Sequence, residues 1–292
     1  MLTLYRDHQA SLVEDRTDML QRRGAAFEIW DNEQIVRAFP DLDRLDAGLR
    51  AVWTPNDKHV NPTAYSEAVL AMARAQGLAV RLGQRVTALD VGASRVVITV
   101  GGEEVTGERV LVTAGTWTKK LVGTVGIGIP LRPYRVQLSS LDFPDGYHLP
   151  MVWELETDVY LVPDGPHNIL AGDGTRLSEF DPDDYDTKGD DQFLSDIADG
   201  VTKLTSLADK AGLRSSWAGL CGGTPDRRPL LGPVADRLFV ACGDQGIGVM
   251  RGPALGELAA DVALGEAEAP HLSPLRQAPG DFPIRAGFTL EA

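Results

Sequence analysis

The residues best suited by type and spacing to do chemistry lie toward the end of the chain, in Leu238-Phe-Val-Ala-Cys-Gly-Asp-Gln-Gly-Ile-Gly-Val-Met-Arg-Gly-Pro-Ala-Leu-Gly-Glu257. An apolar run, a cluster of glycines and a further periodic run predict a strand, a tight turn and a helix. The first turn of a helix carries unpaired N–H groups and the positive end of the helix dipole, so it can hold an anionic or polarised ligand atom. The stretch is not a complete dinucleotide fingerprint. In Gly246-Ile-Gly248-Val-Met-Arg251 an arginine stands where close helix–strand packing needs a small residue, and no acidic strand end follows about 20 residues later. Arg251, Arg135 and Arg176 are candidates for bidentate carboxylate binding, and Tyr160 is a candidate pocket wall. His148 and His167 fall in expected loops. Cys221 and Cys242 lack metal-ligand spacing and form no disulfide framework; Cys242 reads as a small buried residue at a strand end. The acidic run Asp181-Pro-Asp-Asp-Tyr-Asp-Thr-Lys-Gly-Asp-Asp191 fails as a calcium loop, because Tyr185 sits where a ligand belongs and no glycine follows at the sharp turn; it reads as a solvated loop. No metal site is expected.

These residues need elements to position them. Residues 8–23 predict a helix with Leu12, Val13 and Leu20 on one face. Asn61-Pro62 opens a second helix, with Asn as N-cap and Pro at the first helical position; Tyr65, Ala68, Val69, Met72 and Ala73 form its apolar face, and Gly77 ends it. Strands are expected at 78–82, 84–91 and 95–100, a turn at Gly101-Gly102, a buried strand over Arg109–Gly115, and a short helix over Trp117–Val122. From about 130 to 175 the pattern is strand-like. Residues 192–211 and 251–265 read as helices.

The 292 residues can bury one large core or two. The net charge of −14, with 6 lysines against 22 arginines, argues against nucleic acid as a partner, since phosphate binding needs a basic face. The acidic, lysine-poor composition suits a high-salt cytoplasm, although a GC-rich genome would give the same arginine bias. No apolar run approaches the roughly 18–20 residues that span a bilayer, and Met1-Leu-Thr-Leu-Tyr-Arg is not a signal peptide. A cytoplasmic location without membrane contact is the expectation.

Several segments resemble, in order, one family: the FAD-dependent amine oxidoreductases of the D-amino-acid oxidase superfamily, on the sarcosine oxidase-like branch. They are Asn61-Pro62 opening a helix, Gly77, Val86 in a strand, Leu111-Val-Thr-Ala-Gly-Thr-Trp-Thr118, Pro130-Leu-Arg-Pro-Tyr-Arg-Val-Gln137, Trp217 to Asp226, and Gly243 to Glu257. The resemblance implies an α/β fold (an α+β mix). An incomplete, Rossmann-like, three-layer FAD-binding domain (55–123 and 227–292) would join an antiparallel-sheet substrate domain (1–54 and 124–226). It implies non-covalent FAD beside Val86, Ala114, Gly115, Trp117 and Gly243, with Gly246, Ile247, Gly248, Val249 and Met250 passing under the pyrimidine side of the ring. Tyr160, Cys221 and Arg251 are the implied catalytic or pocket residues. The implied substrate is an amine or amino acid of N-methyl or α-amino type, which gives a hydride to flavin N5 before its imine hydrolyses.

Departures accompany the resemblance. The family's opening strand–Gly-x-Gly-x-x-Gly–helix unit does not occur here; a start codon placed too late is the favoured expectation, beside a fragment or a second chain that supplies the unit. The position that carries covalent flavin in some relatives falls on Gly219. Positions that hold charged side chains near the flavin or substrate fall on Leu170, Gly174 and Met250, so rapid reaction with oxygen is not implied and a dehydrogenase stands beside an oxidase. A flavin enzyme acting on a hydroxy acid, or a chain that holds no FAD alone, are the alternatives.

Overall fold

A computed structural model describes residues 1–174, 177–178 and 181–277. The chain opens with strand β1 (Leu2–Tyr5), helix α1 (Ala10–Arg22), β2 (Glu28–Trp30), α2 (Asn32–Ala38) and β3 (Arg50–Trp53). Helix α3 (Pro62–Ala75) leads to β4 (Val86–Val91), β5 (Val96–Val100), β6 (Glu103–Gly107), β7 (Val110–Val112) and α4 (Thr118–Gly123). Then come β8 (Arg132–Asp142), β9 (Val152–Glu154), β10 (Tyr160–Pro163), β11 (Asn168–Gly172), β12 (Leu177–Ser178), α5 (Asp191–Thr202) and β13 (Gly212–Gly223). β14 (Leu230–Ala235), β15 (Leu238–Cys242) and α6 (Gly248–Leu264) complete the set.

The largest sheet runs β12-β8-β11-β10-β9-β1-β3-β2, with β13 also paired to β8. It is mixed rather than purely antiparallel, because β1 and β9 run parallel. Alternation along each strand separates two faces. Leu2, Leu4, Ala51, Val152, Leu161, Ile169 and Ala171 pack one face into the main core with Phe193 and Ile197 of α5. The opposite face carries Thr3, Trp153, Tyr160 and Gly172, which pair across neighbouring strands.

A second assembly has three layers. The small sheet β14-β15-β7 is its middle. Leu231, Phe239, Ala241 and Leu111 pack one side against Ala259 and Val262 of α6. Leu230, Leu238, Val240 and Val112 pack the other against Leu89 of the β4–β6 meander and Val122 of α4. Gly101 and Gly102, at φ 59° and 88°, make the two-residue β5–β6 turn, which demands positive φ at both positions.

Helix α3 is capped as its sequence dictates. The Asn61 side chain accepts the Ala64 N–H at 3.0 Å, and Gly77 and Leu78 donate to Arg74 and Ala73 in a closing motif with Gly77 at φ 96°. Its apolar stripe, however, is not covered: Tyr65, Val69 and Met72 are 40%, 47% and 65% exposed. Residues 78–82 are not a strand; a strand exists only against a ladder partner, and no described strand lies alongside. On α1, Val13 is buried but Leu12 is exposed, because the helix turns that position outward. The 192–211 helix is interrupted. α5 ends at Thr202, and Thr205 caps a separate short turn over Ser206–Lys210 by accepting the Leu207 N–H. No described helix is long and apolar enough to cross a membrane.

Candidate functional site

The glycine-rich turn is built on backbone that few residues adopt. Gly243, Gln245 and Gly246 have φ of 75°, 63° and 80°, the left-handed region where glycine costs nothing and a side chain is strained. Gln245 stays there because it is buried and tied. Its N–H donates to the Gly222 carbonyl at 3.2 Å, and its Nε2 donates to Thr224 Oγ1 at 3.0 Å and the Gly243 carbonyl at 3.1 Å. The Thr224-Pro-Asp226 motif therefore anchors the turn. Asp226 itself is structural, paired bidentately with Arg276 at 2.7 and 2.8 Å. Sequence reading named the glycines and missed Gln245, whose role depends on a partner 21 residues away.

The turn lies against the end of β8 and β13. A Cβ added at Gly246 would sit 3.0 Å from Tyr134 Oη and 3.6 Å from Cys221 Sγ. Tyr134 and Cys221 are direct cross-strand partners, on the same face as Tyr160. Tyr160 lies flat across Gly172, where a Cβ would meet its hydroxyl at 2.2 Å. Burial pushes the Tyr160 phenol up to about 12, with Asp173 and Cys221 adding to the rise. Tyr160, Cys221, Tyr134, Asp173 and Gly246 thus form one patch, and Leu170 shares the face two residues before Gly172. Gly219 is on it too, opposite Val136.

Two of the arginine candidates fare differently. Arg135 alternates with Tyr134 along β8 and points to the opposite face. It is buried there, with Nε donating to the Asp186 carbonyl at 2.7 Å, Nη1 to Asp190 at 3.0 Å, and Nη2 to the Lys188 carbonyl. It holds the 186–190 loop and is no carboxylate clamp for the Tyr160 face. Arg251 is half-buried in the first turn of α6, where its N–H donates to the Ile247 carbonyl at 3.1 Å; its side chain makes no hydrogen bond or ion pair with a described residue. Arg176 lies outside the described residues.

The remaining candidates gather at two cavities and the helix start. Val86, Ala114 and Trp117 line a cavity of about 730 Å³ with Arg85, Lys120 and Asp183. Gly115, Gly243 and Gly248 line another of about 410 Å³ against Cys242 and Leu255. Helix α6 begins at Gly248, three residues before its expected start, and Ile247 provides no side-chain cap. Beside this bare N-terminus Val249 and Met250 are exposed. Cys242 is held protonated: burial pushes its thiol up to about 12, with Asp244 adding to the rise. Cys221 and Cys242 do not form a disulfide.

The acidic loop is docked rather than solvated. Asp183 accepts from Arg85 at 2.8 Å, from the Trp117 indole N–H at 2.9 Å and from Lys120 at 2.7 Å, and Lys120 also binds Asp181. These donors, Lys120 first, hold the Asp183 carboxyl down at about 2. Composition alone reads such a run as a free surface; the three donors come from segments 60 or more residues away. No group of three His, Cys, Asp or Glu side chains among the described residues is placed to hold a metal ion.

Comparison with known proteins gives this geometry a context. The sequence pattern of the family described as FAD dependent oxidoreductase matches residues 1–262. A D-amino acid dehydrogenase of Xanthobacter autotrophicus is 27% identical over 277 residues, 91% of this chain and 63% of that protein. A glycine oxidase of Pseudomonas aeruginosa is 31% identical over 178 residues, 60% of this chain and 46% of that protein. The chain thus spans about half to two thirds of these relatives' length. The crystal structure of glycine oxidase from Geobacillus kaustophilus superposes with a TM-score of 0.84 at 21% identity, covering 95% of this chain and 75% of that one.

Proposed function

The chain belongs to the FAD dependent oxidoreductase family, and from that premise we propose that it forms part of an enzyme oxidising an amine of N-methyl or α-amino acid type, with FAD bound non-covalently. The observation that carries the reading is the patch of Tyr160, Asp173, Cys221 and Tyr134 laid against the Gly246 turn at the uncapped start of α6. The residues present fit the cofactor. Val86, Ala114 and Trp117 line one cavity, Gly115, Gly243 and Gly248 another, and the bare helix N-terminus with exposed Val249 and Met250 lies beside them. The names of the relatives, D-amino acid dehydrogenase and glycine oxidase, support an amino acid substrate.

When bound, FAD supplies at N5 the acceptor for a hydride from the carbon beside the amine nitrogen. The protein's part is orientation and electrostatics. The α6 N-terminus favours negative charge over Gly248 and Val249. The largely buried Tyr160 face excludes water and favours a neutral amine over an ammonium. The Tyr160 hydroxyl stays protonated through the physiological range and can donate a hydrogen bond to the substrate. Leu170, Gly174 and Met250 bring no positive charge to this region, which favours an electron acceptor other than oxygen.

The 1–54 and 124–226 segments form the substrate domain in this reading, and 55–123 with 227–292 the cofactor domain. The uncovered stripe of α3 favours one addition. Tyr65, Val69, Ala73 and Leu78 face Gly252, Pro253 and Gly256 of α6 across a groove of about 500 Å³, and we read it as the seat of further polypeptide, in the same chain or a second one. The test is visible absorbance of the purified chain beside a version extended upstream, before and after denaturation. Flavin in the extended form supports both readings, flavin in both forms removes the need for the extra segment, and flavin in neither folded form rejects the cofactor assignment. Dye reduction without peroxide then separates a dehydrogenase from an oxidase, and amine against hydroxy-acid substrates separates the reaction classes.

A further inference from the structure

Helix α1 brings one cation to the Tyr160 face of the large sheet. Val13, Arg16 and Leu20 recur at three- and four-residue spacing and so share a helix face; Val13 is buried, and Leu20 packs beside Tyr5 and Val52. Arg16 goes down with them. Its Cζ stands 5.8 Å from the centroid of the Trp153 ring. Its Nε is buried without a hydrogen-bond partner, and no described residue forms an ion pair with its guanidinium. The nearest counter-charge is Asp57, which is already engaged by the Thr54 hydroxyl and lies 3.9 Å from the Met1 amino group. Thr3 sits directly beside Trp153 in the β1–β9 register, 1% exposed, and its Oγ1 also has no hydrogen-bond partner. A guanidinium nitrogen and a hydroxyl flank one indole, both buried and both unmet. Buried polar groups are almost always satisfied, and those that are not mark an absent water, ion or ligand. Arg16 as a whole is half-buried, so the unmet group is its Nε rather than the entire guanidinium.

We propose that Arg16 and Thr3 form a subsite for a small carboxylate over Trp153. The proposal rests on the reading of the Tyr160 face as the substrate surface. Trp153 is the direct cross-strand partner of Tyr160, and Cβ atoms so paired are about 4.5–5.5 Å apart. A carboxylate on the Arg16 fork therefore directs the rest of a bound amino acid toward Tyr160. Arg135, on the opposite face, cannot do this. The rival explanation is that the Arg16 stem merely covers the indole while its head reaches water.

The experiment titrates sodium acetate against sodium chloride at matched ionic strength, following tryptophan fluorescence and thermal midpoint. Wild type, Arg16→Gln, Arg16→Lys and Thr3→Val are compared. Neither readout needs flavin, and flavin content is scored separately by absorbance, so the subsite and the cofactor reading can fail independently. Wild type is expected to show a saturable, acetate-specific fluorescence change and a rising midpoint, as for any ligand that binds only the folded state. Arg16→Gln abolishes both, Arg16→Lys weakens binding because an ammonium lacks the planar fork, and Thr3→Val weakens it about tenfold, the effect of one hydrogen bond to a charged group. No acetate-specific response in wild type, or an undiminished one in Arg16→Gln, overturns the proposal. If Arg16→Gln does not fold, Thr3→Val decides: unchanged acetate affinity in that near-isosteric variant overturns it.

Discussion

At the scale of single residues, the site depends on what Tyr160 rests on. Gly172 has no side chain, and the phenol occupies the place a Cβ would take, 2.2 Å from Oη and 2.4 Å from Cζ. A rigid ring cannot yield at its tip alone, so Gly172→Ala is expected to displace Tyr160 and cost about 1–3 kcal/mol in urea unfolding. Most of that cost should vanish in the Tyr160→Ala background, because the two groups compete for one volume. The raised phenol gives a second check. Between pH 10 and about 12 the unfolded chain loses this proton while the folded chain keeps it, so the Tyr160 contribution to stability is complete below pH 10 and is lost as pH rises through the folded value. Spectrophotometric titration of Tyr160→Phe should lack one late-ionising phenol. Activity of the flavin-loaded form should fall about three- to tenfold, the effect of one neutral hydrogen bond.

At the scale of elements, β8 works as a divider. Tyr134 faces the patch, and the next residue, Arg135, faces a loop on the other side. Replacing Arg135 with alanine deprives the Asp186 and Lys188 carbonyls of their donor, while the half-exposed Asp190 keeps Gln137, and a loss of about 1–3 kcal/mol is expected on denaturation. Intact stability with lost substrate binding would contradict this structural role. The 181–184 segment is a second element-level feature, fastened by Asp183 to Arg85, Trp117 and Lys120. With its carboxyl held near 2, below the ordinary 3.8, this fastening is complete above about pH 4 and is lost as pH falls through about 2. The Trp117 indole N–H resonance should titrate with that low midpoint and should not titrate in Asp183→Asn. Because the partners are solvent-accessible, added salt weakens the contact.

At the scale of the whole molecule, the buried residues divide between the large sheet and the three-layer assembly, while the α3–α6 groove stays open. If further polypeptide seats there, Val69→Glu and Tyr65→Lys should change the stability of the 292-residue chain by less than about 0.5 kcal/mol, as at an ordinary surface position, yet reduce flavin retention in the extended form. A loss above about 1 kcal/mol in the short chain would mean the stripe is already packed, and the groove reading fails.

Features under local control are legible in the residues alone. Asn61, Pro62 and Gly77 set the ends of α3, Gly101-Gly102 turned β5 into β6, and the apolar run before Gly243 became β15, because caps, positive φ and periodicity act within a few residues. The order of the motifs along the chain also points to the family. The rest depends on the fold. It denied residues 78–82 a strand partner, tied Arg135 to the 186–190 loop, joined Gln245 to Thr224, docked the acidic loop on Lys120, and placed Arg16 over Trp153. Each depends on contacts between residues distant in the chain, so no window of sequence contains it. Whether a charged side chain is solvated, paired or buried unmet is a property of its surroundings, and folding supplies those surroundings.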